Sequence, residues 1–250
     1  MENKVIYITG GTKGIGFGIA KILLKNGYFV AISGRRDDDV KRAESQLSEI
    51  SPNVLGVVSN VKNYNDEENA VKQIIDKFGK LDGVIANAGL GIFKPVDELS
   101  AEEWNDMMDT NLTGVFYTLK ASVDELKKSE GYYITISSLA GANFFEKGSG
   151  YNATKFGVVG FTQAAMIDLR KYNIKVCTIM PGSVATNFNG NVPSEKDAWK
   201  IQPEDMGNLV LDILRMNPRV LPSKIEFRAT RPDIKSVSYT HLTLPTKRIV

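Results

Sequence analysis

Histidine and cysteine are almost absent from this chain, whose 250 residues include one of each, His241 and Cys177. A serine–histidine–acid triad needs a histidine held within a site, and zinc catalysis by a histidine cluster needs several. Hydrolase and zinc-enzyme chemistries therefore lose their usual parts, and no metal is expected. A lone cysteine excludes an internal disulfide. It lies in the run Ile174-Lys175-Val176-Cys177-Thr178-Ile179, which reads as a buried strand thiol rather than a reactive one. No apolar run is long enough to span a bilayer. The formal net charge of +2 is too small to argue for nucleic acid or an anionic membrane as a partner. The start, Met1-Glu2-Asn3-Lys4, runs straight into a strand-like segment and leaves no room for a signal peptide. Together these points favour the cytoplasm. No repeat, low-complexity stretch or proline-rich linker divides residues 1–236, and 42% of the residues are hydrophobic. A single domain with a sizeable core is expected there.

Short apolar runs rich in β-branched residues alternate with helical patterns. Strands are expected at Lys4 to Thr9, Tyr28 to Ser33, Val54 to Ser59, Leu81 to Ala86, Tyr132 to Ser137, Ile174 to Ile179 and Lys224 to Arg228. Helices are expected around 14–26, 37–50, 65–78, 101–128, 152–172 and 203–216. Such alternation predicts an α/β fold: one Rossmann-type, doubly wound parallel sheet with helices on both faces. In that architecture ligands bind beyond the carboxyl ends of the strands.

The residues that carry chemistry fall at those ends. Gly10-Gly11-Thr12-Lys13-Gly14-Ile15-Gly16 follows the first strand and opens the first helix. Glycines there let the backbone turn tightly and approach a pyrophosphate, and the helix amino terminus offers unpaired N–H groups to phosphate charge. The spacing departs from the commoner G-x-G-x-x-G. Tyr151 and Lys155 stand four residues apart on an expected helix, with Ser138 upstream. Residues at i and i+4 share a helix face. A neighbouring ammonium stabilises a phenolate, so the tyrosine pKa is expected to fall.

These motifs resemble the short-chain dehydrogenase/reductase family. Thr9-Gly10-x-x-x-Gly14-x-Gly16 is similar to its cofactor loop. Asn87-Ala88-Gly89 is similar to its motif after the fourth strand, with Ala86 where a second asparagine is common. Asn111, Ser138, Tyr151 and Lys155 match its catalytic four, and Pro181-Gly182 with Thr186 matches its nicotinamide-side motif. The resemblance runs in order from residue 9 to residue 186. It implies hydride transfer between a nicotinamide cofactor and a carbon bearing oxygen. Tyr151 would move the proton, and Ser138 would stabilise negative charge on the substrate oxygen. Lys155 would lower the tyrosine pKa and bind the nicotinamide ribose. Asn111 would hold a water linking Lys155 to solvent. The resemblance also carries cofactor contacts to Thr9, Gly10, Thr12, Lys13, Gly14, Ile15 and Gly16; to Arg35, Asn60 and Val61; to Asn87, Ala88 and Gly89; to Tyr151 and Lys155; and to Pro181, Gly182, Val184 and Thr186.

The choice between NAD and NADP turns on the end of the second strand, where an acid favours NAD and a base holds the extra phosphate of NADP. Ser33-Gly34-Arg35-Arg36 precedes the first acid, Asp37, and Lys13 lies in the glycine loop. In the resembled family both the Lys13 and Arg35 positions are associated with NADP, so NADPH is expected to be preferred over NADH. Asp37 and Asp38 read as a solvated helix start. Asn60 replaces a frequent aspartate, with an oxygen still able to accept from the adenine amine.

Ser183 to Gln202 is expected to form a flap over the nicotinamide. Phe93, Phe144, Phe145, Phe188 and Trp199 form either an apolar pocket or ordinary packing. The function expected is an NADP-dependent carbonyl reductase acting on a small-molecule carbonyl or alcohol, with 3-oxoacyl carrier-protein reductase as one candidate. A non-catalytic dinucleotide sensor is the competing reading. The resemblance implies a homodimer or homotetramer joined through 101–128 and 152–172, where Val158, Val159, Phe161, Ala165 and Leu169 exceed one buried stripe. Finally, Val237-Ser-Tyr-Thr-His-Leu-Thr-Leu-Pro-Thr246 resembles a translated sequencing adapter. Residues 237–250, His241 included, are therefore expected to be a non-native tail.

Overall fold

The computed structural model describes residues 3–231; the tail at 237–250 lies outside them. Its centre is a seven-stranded, wholly parallel sheet in the order β3-β2-β1-β4-β5-β6-β7. The strands are β1 (Val5–Ile8), β2 (Phe29–Gly34), β3 (Val54–Val58), β4 (Gly83–Ala86), β5 (Tyr132–Ile136), β6 (Lys175–Pro181) and β7 (Lys224–Phe227). Every residue of β1, β4 and β5 is buried, as it must be in strands covered on both sides. Their sequences accordingly read as continuous apolar runs without alternation. Cys177 is buried in β6, and burial pushes its thiol up to about 12, which makes it inert as a nucleophile.

Two apolar layers flank the sheet. Ile6 and Ile8 face α1 (Gly14–Lys25), α2 (Asp37–Ser48) and α7 (Pro203–Arg215). Val5 and Tyr7 point the other way, toward α3 (Tyr64–Phe78), α5 (Gly114–Ser129) and α6 (Ser149–Leu169). The helices α1 and α7 meet closely through glycines: a Cβ on Gly18 would lie 2.5 Å from Pro203, and one on Gly207 2.6 Å from Ile22. Among the described residues no helix is long and apolar enough to cross a membrane.

The expected helix over 101–128 is two helices. After α4 (Ala101–Met108) the chain makes a π turn at Asp109–Thr113 before α5 resumes. Two tertiary contacts hold that turn. The Asn111 carboxamide is bonded to the loop after β4, and Gly114 lies against Val61, where a Cβ would come within 2.8 Å of Val61 Cγ2. The next helix starts at Ser149 rather than 152 and ends in a short 3-10 turn at Arg170–Tyr172, so Tyr151 and Lys155 both lie on α6. On that helix Val158, Ala165 and Leu169 are buried against the sheet. The apolar residues turned outward are instead Phe116 on α5 and Phe156 and Ile167 on α6.

Candidate active site

The chain order reverses across the sheet between β1 and β4, which opens a crevice at their carboxyl ends. A cleft of about 1080 Å³ occupies it, above the usual range of roughly 300–1,000 Å³ for one small ligand. One end is formed by Gly10, Thr12, Lys13, Gly14 and Ile15, the middle by Asn87, Ala88 and Gly89, and the far end by Ser138, Tyr151 and Lys155; Pro181, Gly182, Val184 and Thr186 also line the cleft, Thr186 facing Gly14.

Local geometry explains the glycine loop. Gly10 and Gly14 have φ of +64° and +58°, a conformation that side chains disfavour. A Cβ on Gly14 would project into the gap facing Thr186, 3.4 Å from its Cγ2. No acid or side-chain cap satisfies the first turn of α1, so its N–H groups are free to meet an anion at the cleft. Two expected contacts support this loop from behind. The buried Thr9 Oγ1 accepts from the Asn87 and Ala88 N–H groups, both at 3.1 Å. Gly16 is packed where a Cβ would be 2.6 Å from Asn87 Nδ2. Asn87 Nδ2 also donates to the Thr9 and Gly10 carbonyls at 2.9 and 3.1 Å, tying β4 to the loop although Ala86 has no polar group. The open cradle and the bare helix terminus fit the phosphates of a dinucleotide.

At the end of β2, Arg35 and Arg36 line the cleft. Asp39 pairs with both Arg36 and Arg42, and the Arg36 hydrogen bond leads in holding its carboxyl below the usual range. Among the described residues no carboxylate pairs with Arg35 or Lys13. Ser33 and Ser59 form part of the floor. Beneath them Glu67 is fully buried, accepting from Ser59 Oγ at 2.6 Å and standing 3.1 Å from the Tyr7 hydroxyl. Burial raises the Glu67 carboxyl pKa. Nothing in the sequence pattern singled out this network, because Tyr7 and Glu67 sit 60 positions apart. Val61 lines the cleft, whereas Asn60 does not. Its N–H donates to Asp66 at 3.1 Å and its Oδ1 accepts from the Lys62 N–H at 3.3 Å, so the side chain serves the turn into α3.

At the opposite end Ser138 leaves β5 in extended conformation, its Oγ accepting from the Ala140 N–H at 3.1 Å. Lys155 Nζ is buried, donates to the Ile136 carbonyl at 3.1 Å and stands 5.6 Å from the Tyr151 ring centroid. Burial pushes Tyr151 up to about 12, with the Ser138 hydroxyl pulling the other way. Burial also pushes Lys155 down to about 8. Loss of water around the charged form leads at both groups, and at the phenol it acts opposite to the lowering expected from Lys155. Asn111 is buried, and both donors and the oxygen of its carboxamide bond to the protein. It accepts from the Leu90 N–H at 2.8 Å and donates to the Leu90 carbonyl at 2.8 Å and to Thr154 Oγ1 at 3.1 Å. The side chain therefore holds loop and helix together. The adjacent Thr110 lines the cleft with a buried hydroxyl that has no protein partner.

The segment after β6 is anchored at its start. Val184 bridges Ile201, the Gly182 N–H donates to the Phe227 carbonyl at 2.8 Å, and Thr186 is buried beside Gly14. Phe93, Phe145 and Phe188 gather around Tyr151. Trp199 does not line the cleft.

Comparison with known proteins agrees with this geometry. The family model described as short chain dehydrogenase matches residues 4–197. An uncharacterized oxidoreductase of Staphylococcus aureus (strain MRSA252) is 31% identical over 229 residues, 91% of this chain and 98% of its own. The structure of an alcohol dehydrogenase from the archaeon Thermococcus sibiricus, complexed with 5-hydroxy-NADP, superposes with a TM-score of 0.86 at 32% identity, covering 92% of this chain and 99% of that one. A 3-ketoacyl-(acyl-carrier-protein) reductase from Brucella melitensis, complexed with NADH, gives a TM-score of 0.83 at 25% identity, covering 90% and 96%.

Proposed function

The chain belongs to the short-chain dehydrogenase family of oxidoreductases, and from that premise we propose that it is an NADP(H)-dependent reductase of carbonyl groups, reversible toward the secondary alcohol. The observation that carries this reading is the placement of Ser138, Tyr151 and Lys155 at one end of the cleft whose other end is the glycine loop. When bound, the nicotinamide supplies the hydride or takes it up. Tyr151, a phenol protonated at neutral pH, donates its proton to the carbonyl oxygen in reduction and accepts it back in oxidation. Ser138 donates to the same oxygen and stabilises its growing charge. Lys155 lies behind the phenol and offers its ammonium to the nicotinamide ribose; Gly89 leaves room there, since a Cβ would stand 3.7 Å from Lys155 Nζ. Asn111 acts as a positioning residue through Leu90 and Thr154.

Preference for NADPH is proposed on Lys13 and Arg35, two cations on the cleft without carboxylate partners among the described residues. The planar guanidinium suits a phosphate in particular. A homodimer or homotetramer formed through α5 and α6 accompanies the proposal, because Phe116, Phe156 and Ile167 lie exposed on those helices. So do residues 1–236 as one functional unit and the cytoplasm as its compartment.

The test is NADPH consumption on a panel of ketones, aldehydes and oxoacyl thioesters, repeated with Tyr151→Phe. Turnover that falls by at least about a hundredfold in the variant, the usual scale of general acid catalysis, with cofactor affinity little changed, is expected. Cofactor binding without turnover on any carbonyl would favour a sensor instead.

A further inference from the structure

We propose that the reacting end of the cleft is built for an uncharged, apolar ring ketone, cyclic or aryl, with Phe93, Phe145 and Phe188 as the residues that determine this specificity. The inference rests on the carbonyl-reductase reading and names the substrate class of that same site.

Three loops each bring one phenylalanine to the Tyr151 phenol. Phe93, after β4, stands with its ring centroid 5.4 Å from that of Tyr151 at an interplanar angle of 86°. Phe145, between β5 and α6, is 5.5 Å from Phe93 and 6.5 Å from Tyr151. Phe188, in the flap, is 5.9 Å from Tyr151. Core packing does not account for the group, because Phe145 and Phe188 remain 45% and 37% exposed and all three rings line the cavity. Gly91 seats two of them: a Cβ there would come within 2.9 Å of Phe188 and 3.0 Å of Phe93. Neighbouring rings set edge to face leave faces and edges turned to the cavity. A flat ligand that enters it gains about 0.5–1.5 kcal/mol per aromatic contact beyond simple burial.

The charge distribution argues against a small anionic substrate. Lys13, Arg35 and Arg36 line the opposite end of the cleft. At the reacting end, Lys155 donates to the Ile136 carbonyl behind Tyr151, and Lys200 pairs with Asp197 at 2.5 Å. Among the described residues that line this end, no cation is left to receive a carboxylate or phosphate, and an anion would lose its hydration without replacement. Phe145 has a further part. With Phe144 it also lines a second hollow of about 400 Å³, beside Pro95, Val96, Asp97, Glu146 and Lys147, so these two rings form a wall shared by two cavities.

The experiment measures kcat/KM at saturating NADPH for acetophenone, cyclohexanone, a linear 2-ketone of matched carbon count, pyruvate and an acetoacetyl thioester. The full chain is compared with Phe93→Leu, Phe188→Leu and Phe145→Ala, each first shown to bind NADPH by fluorescence. The ring ketones are expected to exceed the linear ketone by about tenfold or more, the equivalent of one or two aromatic contacts. That ratio should fall about tenfold in the two leucine variants, chiefly through KM. Phe145→Ala should raise the efficiency on a bicyclic aryl ketone relative to acetophenone, because it removes one of the two rings between the hollows. Pyruvate or the thioester turned over as well as acetophenone would overturn the proposal, as would leucine variants that slow all substrates equally. Those results would leave the carbonyl-reductase reading standing. NADPH binding with no turnover of any carbonyl would overturn both.

Discussion

Replacing Lys155 with methionine should make the protein more stable and inactive, and the gain in stability should vanish at high pH. The ammonium is buried, and its folded-state pKa is lowered to about 8 by burial. In the unfolded chain a lysine titrates near 10.4. Below pH 8 both states hold the proton, so the native state carries the full cost of a desolvated charge, about 3 kcal/mol at about 1.4 kcal/mol per decade. Between pH 8 and about 10.4 the native state has released its proton while the unfolded state still binds one. Stability of the unmodified protein therefore rises with pH across that window, and above it the cost is gone. Methionine has similar length and no charge. It loses the hydrogen bond to the Ile136 carbonyl, about 1 kcal/mol, which leaves a net gain of about 2 kcal/mol at pH 7. For a chain of this size that is about 4–8 °C in Tm. The assay is thermal unfolding of both proteins at pH 7, 9 and 10.5 without cofactor. A variant less stable at pH 7, or a difference that does not change with pH, would refute the reasoning.

Arg35→Asp should erase or reverse a preference for NADPH over NADH, expected at about ten- to a hundredfold if two charge-assisted contacts survive screening. Equal kcat/KM for both cofactors in the unmodified enzyme would count against the Lys13–Arg35 assignment. Glu67→Gln should raise Tm at pH 8 and leave it nearly unchanged near pH 4. Burial raises the folded-state pKa of this carboxyl, so the native state loses stability as pH climbs through the unfolded value and the amide does not; thermal melts at the two pH values decide it. Light scattering at micromolar concentration should give at least a dimer, and Phe116→Glu with Ile167→Glu should shift it toward monomer. A monomer in the unmodified protein would remove the case for α5 and α6 as an interface.

What could be read from the sequence is what neighbouring residues determine. The run Val5–Ile8, the glycines at 10, 14 and 16, and the helix-spaced Ile19, Ala20, Leu23 and Leu24 announce strand, loop and helix because backbone freedom and side-chain period are local properties. Repetition of that unit, with each motif at a strand end, determines a parallel sheet and a ligand crevice. The spacing of Tyr151 and Lys155 is likewise a property of one helix. Tertiary structure decided the rest. The π turn at Asp109–Thr113 exists because Asn111 bonds Leu90 and Thr154, contacts that periodicity along the helix does not encode. The Asn60 side chain accepts from the Lys62 N–H in the turn into α3. Glu67 finds Tyr7 and Ser59 across two strands. Three phenylalanines from separate loops converge on one phenol. Above all, the direction of the shift at Tyr151 comes from its burial, which no neighbour along the helix encodes. Proximity along a helix is written in the sequence, but the water excluded from around both groups depends on every element packed over them.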